Sequence, residues 1–444
     1  MGERMHSCDL AILGGGPAGC AAALAALRAS PGLSVTIVDR DAVPRHRIGE
    51  ALLTGTVMAL DRLGVAEAVA AAGFHRKIGA AYVWGDSPEP WYVNYPRDHG
   101  DYPSCFVTES GARESIHVTR HAFDALLRRE AEKAGASIMT MDVRSVSFGD
   151  SSSSCRRPAV LSVSSGDGTT LRARRWIDCT GQGAVIGKAL SMRRPVGVAR
   201  SARYAYSASI DWERAIGAGF DPHRTNIVSS PFGWAWVIHL GESGGGLTSV
   251  GLVSTPDALS GVRFSDASDM VPALRSFGFD DGFADPRDAY GVPTSDWIRH
   301  PDYSYFCDAL HGPNWSLAGD AALFLDPILS QGVTLAMHYA TLRGEAAAGN
   351  LDGAIDGVTE ERRIDGHYMA EASVLRRVVG EWYGNNRHVG DWKLASVMIG
   401  ETEYGRSMEP DAAFRWVTNL ENLRDEYDPY PLDQRLEVAR RLGL

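Results

Sequence analysis

Three glycines near the start of the chain, Gly14, Gly16 and Gly19 in "GGGPAG", stand at the spacing G-x-G-x-x-G between an apolar run and an Ala/Leu-rich run. That spacing suits a phosphate. The first glycine makes a tight turn, the second lets backbone approach a pyrophosphate, and the third permits close helix packing, with the anion at the helix N-terminus. Asp39 follows 20 residues after Gly19, at the end of "LSVTIVD", where a carboxylate accepts hydrogen bonds from a ribose. A second feature of this kind comes late in the chain: "LAGDAALF" ends an apolar strand at Gly319-Asp320, and "SQGVTLAMHYATL" opens a helix whose positive end would face an anion or a carbonyl oxygen.

Positioning these residues requires a βαβ unit, and "CDLAILGGGPAGCAAALAALRASPGLSVTIVDRD" reads as strand, turn, helix and strand, the start of an α/β fold. Further on, "WAWVIHL" (234–240) has strand periodicity, which directs Trp234 and Trp236 to one face; one of them is expected in a cavity and the other in the packed sheet. In "SIHVTRHAFDALLRREAEKAGA" a strand precedes a helix, so His117 and His121, though four apart, need not share a face, and no metal site is expected. Residues 143–183 alternate like a three-stranded meander with a serine-rich, mobile tip. The expected division is a discontinuous dinucleotide-binding domain (8–78, 105–190 and 300–350), a mixed sheet (79–104 and 191–299) and a C-terminal helical region (351–444).

Composition bounds the function. With 444 residues and a formal charge of -11, the chain has room for a large core and lacks the basic footprint of a nucleic-acid groove. Six cysteines are scattered without C-x-x-C spacing and are expected as free thiols in a reducing cytoplasm. The apolar stretch 10–27 is broken by "GGGPAG" and is read as the βαβ unit, not a secretory leader, and no membrane span is expected.

In "RHRIGEALL", in the mid-chain "IHVTRHAFDALLRREAEKAGA" and in "WSLAGDAALFLDPILSQGVTLAMHYA", the sequence resembles the flavoprotein monooxygenases of the p-hydroxybenzoate hydroxylase fold, most closely their flavin-dependent halogenase branch, over about residues 8–345. The resemblance implies FAD held in a Rossmann-like domain of the glutathione reductase/p-hydroxybenzoate hydroxylase type, beneath a mixed β-sheet substrate domain and followed by a C-terminal helical segment. It also implies that Arg47 and Glu50 line the FAD cleft, that Arg120 lies near the adenine and pyrophosphate, and that Asp320 accepts from the ribityl chain. Trp234, Trp236 and Ile238 fit the family's W-x-W-x-I, and Phe324, Pro327, Ser330 and Gly332 its F-x-x-P-x-x-S-x-G. In halogenases the tryptophans keep flavin and substrate apart, and a lysine, here Lys77, carries or orients hypohalous acid.

Two departures shape the expected chemistry. His239 stands where the signature continues to proline, and Gln331 replaces a small hydroxyl residue at the turn that holds chloride, where a long amide would crowd the halide. These favour hydroxylation of an electron-rich ring by a flavin C4a-hydroperoxide, with His239 or Lys77 as base, as in the related flavoproteins that oxidise a tryptophan of another polypeptide during quinone-cofactor maturation. Halogenation of an indole, phenol or carrier-bound pyrrole is the alternative. The aromatic stretch Glu381–Trp392 is expected to recognise a tryptophan-containing polypeptide, and electrons are expected from NAD(P)H or a separate flavin reductase.

Overall fold

The computed structural model describes residues 4–149, 158–196, 200–255, 287–353, 357–384, 389–404 and 409–418, apart from short gaps at 86, 88, 98–99, 209, 218, 231–232, 295–296 and 301–303. The serine-rich tip of the meander lies outside the described residues. Two large sheets organise the rest. In the first, parallel strands run in the order Ser137–Thr140, Val35–Asp39, Arg4–Leu13 and Thr169–Asp178. The ten-residue strand Thr169–Asp178 serves two neighbours: its first half pairs antiparallel with Val160–Ser165, and its second half, Trp176–Asp178, pairs parallel with Trp315–Leu317. Parallel strands covered on both faces read as unbroken apolar runs, and Leu10–Leu13 and Ile37 are accordingly buried. Their carboxyl ends, Leu13, Asp39, Asp178 and Leu317, converge on one edge, where open α/β sheets bind ligands.

Helix Pro17–Ala29 covers one face, with proline at its first position and alanine through its interior. It packs along helix Gly332–Leu351, so the early and late anion-directed motifs are brought together by a helix pair.

The second sheet runs in the order Ile298–His300, Ser201–Ser207, Thr248–Ser254, Gly233–His239, Arg224–Ser230, Gly79–Val83 and Trp91–Asn94, antiparallel except where Arg224–Ser230 meets Gly79–Val83. Its strands alternate strictly. Tyr82, Tyr204, Ile227, Trp234, Trp236 and Ile238 face one cluster, while Val83, Ala205, Val228, Ala235 and Val237 face another. Against the aromatic face lie the helices Gly357–Gly384, Val389–Tyr404 and Pro410–Thr418. In the first of these, Ile364, Tyr368, Ala372, Leu375, Val379 and Trp382 recur at three- and four-residue steps and are buried, the stripe of a helix docked along its length. None of the helices among the described residues is long and apolar enough to cross a membrane.

Candidate active site

A cavity of about 610 Å³ runs from the glycine turn to the tryptophan strand. Its nucleotide end is built from backbone. Gly14 has φ +99°, its N–H donates to the Val38 carbonyl at 2.7 Å, and a Cβ there would stand 2.3 Å from the Cys179 carbonyl oxygen. A Cβ on Gly19 would come within 1.9 Å of the Gly14 oxygen, so the turn and the helix touch without side chains between them. Gly16 differs: the nearest atom to its added Cβ, an oxygen of Asp124, is 4.0 Å away, and the residue opens toward the cavity at the helix N-terminus with no side-chain cap. This is the open cradle that a pyrophosphate requires.

Asp39 closes the same end. Its carboxylate accepts from the Gly15 N–H at 2.7 Å and the Asp41 N–H at 2.9 Å, and pairs with Arg128 at 3.1 Å. Arg128 also donates to the Asp41 and Ala42 carbonyls, each at 3.0 Å, and lines the cavity. Sequence reasoning missed it, although Arg120, Asp124 and Arg128 sit four apart on helix Arg120–Lys133 and so share a face. Arg120 donates to the Ile48 carbonyl at 2.9 Å and grips Asp124 through two nitrogens at 3.0 and 3.1 Å. Arg47 lies at the mouth, its side chain half exposed.

Toward the far end the polar groups are buried. Glu50 accepts from the Tyr206 hydroxyl at 2.6 Å, and burial pushes its carboxyl up to about 7 against the hydrogen bonds of Tyr206 and Ser249 and the charge of Arg120. Asp320, on the turn Gly319–Ala321, is pushed up to about 6 by burial, opposed by Arg120. Pro327, Ser330 and Gly332 line the cavity beside them, with Ser330 at φ +58° in the turn that starts helix Gly332–Leu351.

Both tryptophans line the cavity, where one had been expected to pack elsewhere. Their ring centroids are 5.9 Å apart. Trp236 lies flat on the sheet because its partner across the ladder is Gly251, where a Cβ would fall 2.1 Å from the indole, and its N–H donates to Ser249 at 3.1 Å. Trp234 donates to the Tyr383 hydroxyl at 2.6 Å, tying the roof to the C-terminal helices.

Lys77 is outside this cavity, in a smaller chamber of about 10 Å³ walled by Tyr95, Phe414 and Thr418. It is 1% exposed, donates to the Leu52 carbonyl at 2.9 Å, and is pushed down to about 7 by burial. The two chambers share Thr225, Ile227 and Ser330 as wall.

Three expectations change here. His239 lies on the opposite face from Trp234 and Trp236, with Ala235 and Val237; its ring meets Trp212 and His75, with centroids at 5.2 and 5.0 Å, so it is no base for a substrate near the tryptophans. Gln331 commits its amide to the Thr418 carbonyl at 3.0 Å, so its side chain does not reach into the cavity lined by Ser330 and Gly332. Trp382 and Trp392 are 0% and 3% exposed, with ring centroids 4.0 Å apart, and belong to the core; they form no surface for a polypeptide. As for metals, no group of three or more metal-ligating side chains gathers among the described residues.

The open Gly16 cradle, the Asp39 carboxylate, the buried Asp320 and a cavity of this volume fit a flavin dinucleotide. Comparison with known proteins agrees. The tryptophan halogenase family profile matches residues 9–110 and 105–343. The chain is 30% identical to a tryptophan 2-halogenase of Chondromyces crocatus over 83% of this chain and 67% of that one. It is 26% identical to a 1H-pyrrole-2-carbonyl-[peptidyl-carrier protein] chlorinase of Pseudomonas fluorescens over 85% and 82%. The structure of the myxobacterial chondrochloren halogenase, described as a new variant of FAD-dependent halogenases, superimposes with a TM-score of 0.70 at 25% identity, covering 94% of this chain and 96% of that one. These relatives are halogenases, and the expected tie to quinone-cofactor maturation finds no support among them. Profile, sequence and fold converge, and the chain belongs to the tryptophan halogenase family.

Proposed function

We propose that the protein is an FAD-dependent halogenase acting on an electron-rich aromatic ring. The observation that carries this reading is the placement of Lys77, a buried lysine in its own chamber, separated from the large cavity by a wall of Thr225, Ile227 and Ser330. Hydroxylation, the leading expectation from sequence, needs the ring beside the flavin and a base beside the ring. Here the indoles of Trp234 and Trp236 line that end of the cavity, and His239 faces away.

When bound in its reduced form, FAD supplies, with oxygen and halide, hypohalous acid. The chain does the rest. Gly16 and the helix N-terminus receive the pyrophosphate, Asp39 the ribose, Asp320 the ribityl chain, and Arg120 and Arg128 offset phosphate charge. Both tryptophans exclude water and substrate from the ring end. Lys77, desolvated and pushed down to about 7, holds the oxidant's oxygen by one N–H donor while a substrate carbon attacks the halogen, the halogen–oxygen bond breaks, and the hydroxide released leaves as water with the ring proton. Substrates such as an indole, a phenol or, as for the pyrrole-chlorinating relative, a carrier-bound pyrrole fit this chemistry. Electrons reach the flavin from NAD(P)H or from a separate flavin reductase.

The test is turnover of indole and of pyrrole-2-carboxamide with reduced FAD, oxygen and either chloride or bromide, followed by mass spectrometry. Halogenation exchanges hydrogen for halogen in the product. Gain of one oxygen with no halogenated product would restore the hydroxylase reading.

A further inference from the structure

The two chambers share Thr225, Ile227 and Ser330 as wall, and of these three only Thr225 is fixed by a buried imidazole. Thr225 lies in strand Arg224–Ser230, is 3% exposed, and pairs with Ala80, itself part of the Lys77 chamber. Its hydroxyl stands 3.3 Å from Nε2 of His117. His117 is 0% exposed, and its Nδ1 lies 2.9 Å from the His239 carbonyl oxygen.

These contacts determine which way the hydrogen bonds run. A carbonyl only accepts, so Nδ1 of His117 carries the proton. The ring is neutral, because burial, reinforced by Lys77, His75 and His239, holds it well below its ordinary value. Nε2 is therefore an acceptor, and the Thr225 hydroxyl must spend its one proton on it. What Thr225 offers to the chambers on either side is an oxygen with acceptor lone pairs and no donor. Hypohalous acid has one O–H to donate and an oxygen that accepts. Lys77, whose first hydrogen bond goes to Leu52, has N–H groups left to donate.

We propose, resting on the halogenase reading, that Thr225, oriented by His117, accepts the O–H of hypohalous acid as it leaves the flavin chamber and so presents its oxygen to Lys77 and its halogen toward the substrate side. Thr225 touches the reacting species; His117 is a positioning residue acting through it. No covalent bond is made or broken in this step.

The experiment uses the full chain with reduced FAD, oxygen and bromide, with indole as probe substrate and monochlorodimedone as trap for oxidant that escapes. Thr225→Val, nearly isosteric, should keep flavin content and oxygen consumption while brominated indole falls about tenfold, the loss of one hydrogen bond, and trapped oxidant rises to match. Thr225→Ser should restore delivery to within about twofold, which a purely steric role would not require. His117→Phe should lower delivery, with no further loss in the Thr225→Val background, the signature of two residues acting as one unit. Wild-type delivery by Thr225→Val, or failure of Thr225→Ser to restore it, overturns the inference while the enzyme remains a halogenase. A wild-type protein that yields neither brominated indole nor trapped oxidant removes both readings together.

Discussion

The two ends of the large cavity are held by different forces. At the nucleotide end, contacts are backbone to backbone or involve side chains fixed by a single helix face: Gly14 against Cys179, Gly19 against Gly14, Asp39 against Gly15 and Arg128. At the tryptophan end, groups from distant segments meet across a sheet, and each is placed by packing: Trp236 over Gly251, Trp234 on Tyr383, Lys77 behind Thr225, and the C-terminal helices against the aromatic face. At Gly14 and Gly19 the first end tolerates no added atom, because an atom added to close-packed backbone has nowhere to go. At the second, placement rests on side-chain contacts between remote elements, so an exchanged side chain is felt through its neighbours rather than through the backbone.

The sharpest break of this contrast is Gly16→Val. Because the space around Gly16 is open, the fold should survive with its unfolding midpoint nearly unchanged, whereas the valine fills the pyrophosphate cradle and the protein should purify without flavin. A full flavin complement, read from absorbance, would separate the glycine turn from the cofactor.

Next in size is Lys77→Met at the other end. Flavin content and oxygen consumption should persist while halogenated product falls roughly 10²–10⁴-fold, the usual cost of a positioned proton-transfer group. The same variant sharpens the electrostatics. Lys77 titrates at about 7 when folded and near 10.5 when unfolded, so between those values the unfolded chain binds the extra proton. Wild-type stability should therefore rise with pH through this window by about 1.4 kcal/mol per unit relative to Lys77→Met, and the gap between the two should be flat below about 7. Parallel urea midpoints from pH 7 to 9 would contradict the burial of an ionisable lysine.

Trp382→Ala tests whether the C-terminal helices are core. Removing a fully buried indole packed on Trp84 and Trp392 should cost about 3–5 kcal/mol in chemical denaturation. An unchanged midpoint together with altered substrate KM would return this region to a recognition surface.

The smallest effect is expected from Asp39→Ala. One ribose contact and the brace to Arg128 are lost while the glycine turn stays, so FAD should bind about tenfold more weakly, measurable by fluorescence titration. Loss as complete as for Gly16→Val would mean that Asp39 shapes the turn itself.

Legibility divided along the same line. Gly14, Gly16, Gly19 and Asp39 lie within one βαβ unit, where spacing along the chain is spacing in space, and the structure sets Gly14, Gly16 and Asp39 around one cavity with Gly19 packed on Gly14. Arg128 was within reach too, since its four-residue steps from Arg120 follow from helix geometry alone. His239 was misassigned although strand parity already set it on the face opposite Trp236. Gln331 could not have been resolved from local sequence: its acceptor, the Thr418 carbonyl, is 87 residues away.

By itself, then, the sequence determined the α/β class, the dinucleotide turn and the family signatures, because each depends on neighbours a few residues apart. Tertiary structure alone decided that both tryptophans share one cavity, that Lys77 occupies a separate chamber behind Thr225, and that Trp382 and Trp392 are core. Those facts depend on which faces of remote strands and helices are pressed together, a choice made by collective burial of apolar surface and recorded in no short stretch of the chain.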